Sequence, residues 1–252
     1  GVFGQALITE LDEKKKRGIK SFAVLIDPDK IEEFGDLVKL VNLCVNNKVD
    51  YIFVGGSLIV NDNFKTVIST VKSISSIPTI IFTGNSIQID ASADAILFLS
   101  LISGRNPDML IGQHVHAAYT LKRSKLKVIP TGYMLINSGR QTSASYMSNT
   151  TPILNDKPNI ASSTALAGQM LGLKLIYLDA GSGSENPVSK KVIQEVRDNI
   201  DIPLFVGGGI NSIDKATQAL NSGADLIVTG SVIEQNQNFL ISISNKINEL
   251  NE

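Results

Sequence analysis

Acidic, hydroxyl and glycine residues recur in this sequence directly after short apolar runs. LIDPDK (25–30) sets Asp27 and Asp29 either side of Pro28, and VGGS (54–57) ends in Ser57. YLDAGSGS (177–184) places Asp179 just before Gly181-Ser182-Gly183. VGGGI (206–210) and TGS (229–231) add Gly208-Gly209 and Gly230-Ser231. Glycine lets backbone N–H groups approach an anion, and a following helix N-terminus adds favourable partial charge. Two such loops on successive strands favour a phosphate site over a pair of tight turns. Asp179 beside that site has the chemistry to orient or deprotonate a substrate hydroxyl; the plainer reading is a helix N-cap. Asp27 with Ser57 offers hard oxygen donors suited to Mg²⁺. The competing reading of Asp27 is an Asx-Pro turn that caps a helix starting near Ile31.

Other candidate groups carry less. His114 and His116 are two residues apart on an expected helix, so they face different directions and read as surface or packing residues. Cys44 is the sole cysteine and sits at helical spacing with Leu37, Leu40, Val41 and Val45, as a core thiol does.

The elements that must position these residues are short, apolar and rich in β-branched side chains. They are Ser21–Ile26, Tyr51–Val54, Thr79–Phe82, Ala95–Leu99, Lys127–Pro130, Leu175–Leu178, Pro203–Val206 and Asp225–Val228. None alternates strictly, as expected of parallel strands buried on both faces. Helical patterns separate most of them, clearest over Glu32–Asn46, Pro187–Asn199 and Ser212–Ser222. A surface helix is expected over the first 17 residues, ending at Gly18. Eight strand–helix repeats in 252 residues predict a single-domain (β/α)8 TIM barrel spanning 1–252. The span between the third and fourth strands, Gly84–Ser92, is too short for a full helix, so one barrel helix is expected to be missing there. The long connection Thr131–Lys174 is expected to hold a lid or substrate loop, then a helix at Ser162–Leu171. In such a barrel the strand C-termini gather every motif above at one mouth.

Composition excludes some partners. The net charge is −1, Trp is absent and aromatics make up 6%, which argues against a nucleic-acid surface. No stretch reaches the ~18 apolar residues of a membrane span, and no cleavable leader pattern opens the chain. A soluble cytoplasmic enzyme is expected. Its rivals are another phosphate-handling barrel, such as a sugar-phosphate isomerase or thiamine-phosphate type enzyme, and a non-catalytic binder of phosphorylated ligands.

Taken together the motifs resemble the geranylgeranylglyceryl phosphate synthase family of prenyltransferases. The likeness runs through LIDPDK, VGGS, FTGNS (82–86), RNP (105–107), IPTGYMLINSG (129–139), YLDAGSGS, VGGGI and TGS, nearly the whole chain. It implies Mg²⁺ on Asp27 and Ser57. It implies sn-glycerol 1-phosphate on Tyr177, Leu178, Asp179, Ala180, Gly181, Ser182, Gly183, Gly208, Gly209, Gly230 and Ser231, with a prenyl diphosphate as donor. Asp179 would be catalytic, although many members have Glu there. Basic residues such as Lys30 and Arg105 are candidates to steady the diphosphate, and Ala95–Ile102 with RNPDML (105–110) to line a prenyl groove. A homo-oligomer is expected, with transient membrane-surface contact for release of the lipid product.

Overall fold

The computed structural model describes residues 5–56, 63–83, 87–230 and 236–252. Eight parallel strands close into a barrel in sequence order, β8 pairing back to β1. They are β1 (Ser21–Ile26), β2 (Tyr51–Val54), β3 (Thr79–Ile81), β4 (Ala95–Leu101), β5 (Lys127–Leu135), β6 (Leu175–Asp179), β7 (Leu204–Gly207) and β8 (Leu226–Thr229). Outside them lie α1 (Gln5–Lys16), α2 (Phe34–Asn46), α3 (Asn63–Ile74), α4 (Gln113–Arg123), α5 (Ser143–Ser148), α6 (Pro158–Met170), α7 (Lys190–Asn199), α8 (Ile213–Ser222) and α9 (Gln237–Asn251). Residues 87–94 carry no helix, as the short span between β3 and β4 predicts. No helix among the described residues is long and apolar enough to cross a membrane.

The strands lack polar alternation because both of their faces are packed. Phe22, Val24 and Ile26 of β1 point outward into the layer shared with α2 and α3. Ala23 points inward with Phe53, Leu97, Ile129, Tyr177 and Phe205, so the barrel interior is a filled core. Cys44 is buried in the outer layer, and burial pushes its thiol up to about 12. His114 is buried with Nε2 2.5 Å from the Leu99 carbonyl, whereas His116 is exposed, so the two form no pair.

Several expectations need correction. The fifth strand does not stop at Pro130 but runs on to Leu135, paired to β4 and β6 along Thr131–Leu135. Pro130 removes a single N–H from the ladder, and neighbours on both sides hold the rest. Second, α1 is more than a surface helix. Leu7 and Leu11, one turn apart, join the interior core, and Lys14 Nζ donates to Tyr51 Oη at 3.2 Å, so α1 closes the N-terminal end of the barrel. Third, Asp27 caps a 3-10 turn at Pro28–Lys30, and α2 begins only at Phe34.

The expected lid segment packs over the mouth. Arg140 Nη2 donates to the Gly183 carbonyl at 2.8 Å and Asn186 Nδ2 to the Ser138 carbonyl at 3.2 Å. The following helix starts earlier than expected, at Pro158, because proline is preorganised for the first helical position.

Candidate active site

A cavity of about 400 Å³ opens at the C-terminal mouth, lined by residues that follow or end nearly every strand. Asp179 ends β6 with its side chain facing in, since it shares strand parity with Tyr177. Its surroundings are dry: it is 7% exposed. The Tyr133 hydroxyl donates to Oδ2, and Gly181 N–H donates to Oδ1 at 2.7 Å. Burial pushes the Asp179 carboxyl above the usual carboxylate range, while the two donors pull it partly back. Burial, then the Asp179 charge, pushes the Tyr133 phenol far up, so it stays protonated and acts as the donor. Asp179 is not a helix N-cap, since Ser189 caps α7: one oxygen fastens the turn after β6 and the other takes a phenol from β5.

The β6 and β7 turns fit together through glycine. Gly208 has φ +85°, and a methyl group there would lie 2.6 Å from Gly181 N and 2.8 Å from Gly181 O. Gly209, at φ +71°, lies under Ser184, whose Oγ would be 2.6 Å from a methyl. Side chains at both positions are excluded by backbone conformation and by contact, which brings the two turns' backbones together at the cavity. Ser182, Gly183 and Gly230 line the same space. Leu178 and Ala180 belong to the outer core, so only their main chain is available to a ligand. Gly181 braces Gly208 and is not part of the lining. Ser231 lies outside the described residues, as does Ser57.

Across the mouth, Asp27 is half-buried. Its Oδ1 accepts from Asp29 N–H at 3.0 Å, and its Oδ2 would be 2.9 Å from a methyl on Gly56, so the carboxylate lies over the end of β2. Burial raises the Asp27 carboxyl, and the Asp29 amide and the Lys30 ammonium draw it down. Among the described residues no cluster of three His, Cys, Asp or Glu side chains exists. A carboxylate lining an open cavity suits a hard cation that keeps waters and takes further ligands from a bound phosphate.

Lys30 lines the cavity and donates to Ser182 Oγ at 3.2 Å. Arg105 does not reach it, being tied to the Gly104 carbonyl at 3.0 Å. The apolar wall comes from Leu99, Leu101, Met109, Leu135 and Ala144. Phe82, Tyr133 and Tyr177 complete it as a ring cluster with centroids 5.2 to 5.7 Å apart. The motif reading gave Tyr133 and Ser184 no role. For Tyr133 the signal was there: with β5 carried past Pro130, Ile129, Thr131, Tyr133 and Leu135 fall on one face.

The strand order, the inward carboxylate and the glycine turns after β6 and β7 define a TIM barrel with a polar and an apolar half to its mouth. The chain belongs to the PcrB family, whose model matches residues 12–250. It is 51% identical over 245 residues to a geranylgeranylglyceryl phosphate synthase of Spirosoma linguale, covering 97% of this chain and 98% of the relative. It is 37% identical to one from the archaeon Korarchaeum cryptofilum, covering 92% and 96%. Its fold matches the crystal structure of (S)-3-O-geranylgeranylglyceryl phosphate synthase from Thermoplasma acidophilum, in complex with substrate sn-glycerol-1-phosphate. The TM-score is 0.90 at 32% identity, covering 96% of this chain and 98% of the other.

Proposed function

We propose that this chain is a prenyltransferase that joins the C3 hydroxyl of sn-glycerol 1-phosphate to a long-chain prenyl diphosphate, geranylgeranyl diphosphate first among them. The ether bond forms as diphosphate leaves. The observation that carries the reading is one cavity with two halves. Asp179 and the glycine turns of β6 and β7 form one wall, and Leu99, Leu101 and Met109 the other. A sugar-phosphate isomerase needs the first wall and has no use for the second. The family membership supports the same assignment.

The chain's own residues divide the work. Main-chain amides at Gly208 and Gly209 face the acceptor phosphate. Asp179 lies where it can accept a hydrogen bond from the C3 hydroxyl and take up its proton as the ether forms. Tyr133 holds the Asp179 carboxylate in place and stabilises its charged form before the proton arrives. The rings of Phe82, Tyr133 and Tyr177 give electron-rich surfaces to an allylic carbon gaining positive charge. Asp27 and Ser57 would hold Mg²⁺, which when bound supplies charge neutralisation to the departing diphosphate. In this reading the protein works as a cytoplasmic homo-oligomer that meets the membrane surface only to release product.

The test is direct. Purified chain, labelled sn-glycerol 1-phosphate, Mg²⁺ and a panel of prenyl diphosphates should yield a labelled ether lipid. The product should disappear with chelator or with Asp27→Asn, while acceptor binding persists. Absence of product with every donor would sink the reading.

A further inference from the structure

We propose that the phosphate of the acceptor is held by two side chains as well as by main-chain amides: Ser184 from within the cradle and Lys30 from across the mouth. This rests on the acceptor assignment above.

Ser184 is 6% exposed, and its Oγ has no hydrogen-bond partner among the described residues. Buried hydroxyls are almost always partnered, so an orphan calls for an explanation. Its position offers one. The loop turns back on itself through Gly181 and Gly183, at φ +95° and +70°, and Ser184 N–H returns to the Gly181 carbonyl at 3.3 Å. That turn swings Ser184 over Gly209 and into the cavity lining. A phosphate seated on the Gly208-Gly209 backbone would present oxygens to this hydroxyl.

Lys30 comes from the opposite direction. It follows β1, whose ladder partners are β2 and β8, yet its ammonium meets Ser182 in the loop after β6. The side chain therefore spans the mouth. A lysine ammonium has three donors, and the hydrogen bond to a neutral hydroxyl uses one. Lys30 lines the cavity that Asp27 also lines, so its other donors are open to a ligand there. Lys30 thus stands between the diphosphate end of the site and the phosphate end. Two polyanions must approach within the length of a glycerol unit, and a cation between them lowers their mutual repulsion.

Titration calorimetry of sn-glycerol 1-phosphate into the full chain tests the assignment. Ser184→Ala should weaken binding roughly tenfold, the ordinary loss for a hydrogen bond to a charged group. Its melting temperature should hold or rise, because a buried unpaired hydroxyl is gone. Lys30→Met should weaken binding about tenfold or more and flatten its dependence on salt. Lys30→Arg should restore most of the affinity. Wild-type affinity in either Ser184→Ala or Lys30→Met overturns the proposal. No binding by the wild-type chain would instead overturn the acceptor reading beneath it.

Discussion

The two ends of the barrel use carboxylates in opposite ways. At the N-terminal end three acids each accept from a backbone N–H at the start of a strand and have a cation near them. Asp225 accepts from Leu204 N–H at 2.8 Å and from Arg197 Nη1 at 2.6 Å. Asp94 accepts from Thr79 N–H at 2.7 Å and from Lys72 Nζ at 2.8 Å. Asp50 accepts from Phe22 N–H at 3.0 Å, and burial raises its carboxyl while that amide and Lys14 draw it down. At the C-terminal end, Asp179 is deeper, and among the described residues its hydrogen bonds come from neutral donors, Tyr133 and Gly181. A charge compensated by Lys or Arg is bound to the scaffold. A charge held by a phenol and an amide in a dry cavity keeps its field for whatever enters.

The contrast breaks if Asp179 proves to be another fastening. Asp179→Asn should cut the rate by about 10²–10⁴-fold, the usual contribution of a general base. Its stability should move the other way. The carboxyl is raised in the folded state, so the native protein binds its proton more tightly than the unfolded chain does. Stability from this group is therefore present below the ordinary carboxylate value and is lost as pH rises through the raised one. Asn removes that loss. The variant should melt at the same or a higher temperature at neutral pH, with the difference shrinking in acid. A clear drop in melting temperature at neutral pH would place Asp179 with the structural acids.

Tyr133→Phe sharpens the point with a smaller effect. Loss of one hydrogen bond to a charged group costs about 1.5–3 kcal/mol, so kcat should fall roughly ten- to hundredfold. Tyr133 favours the ionised carboxylate, so its removal should push the acid limb of the kcat profile to higher pH. An unmoved limb would mean that the phenol does not act through Asp179.

The smallest effect on activity should come from the other end. Arg197→Met leaves Asp225 without its guanidinium, and breaking this part-buried pair should cost at most about 3 kcal/mol of stability. Turnover per folded molecule, measured below the melting transition, should stay near wild type. A loss comparable to that of Asp179→Asn would erase the division between the two ends.

Much of this was legible in the residues. β1 and β2 begin and end where their apolar runs do, and the other strands begin within one residue of the runs that announce them. Gly208, Gly209, Asp179 and Asp27 gather at one mouth because a parallel barrel sends every strand end the same way. The length of β5 was hidden, since Pro130, Thr131 and Gly132 read locally as a turn. Only pairing to β4 and β6 on both sides makes them a strand, and Tyr133 was hidden with them. Leu178 and Ala180 were drawn into the site by adjacency in the motif. Strand parity turns their side chains to the helices.

The sequence by itself determined the architecture, the end of the barrel that does chemistry, and the residue types on offer there. Those follow from periodicity and glycine placement, which act over a few residues. Tertiary structure alone decided that Tyr133 meets Asp179 from 46 positions away, that Lys30 crosses to Ser182 from 152 away, and that Ser184 turns inward with no partner among the described residues. These contacts depend on how far each strand extends, on which loops barrel closure brings together, and on how two glycine turns pack against each other. Neither quantity is carried by any local stretch of the chain.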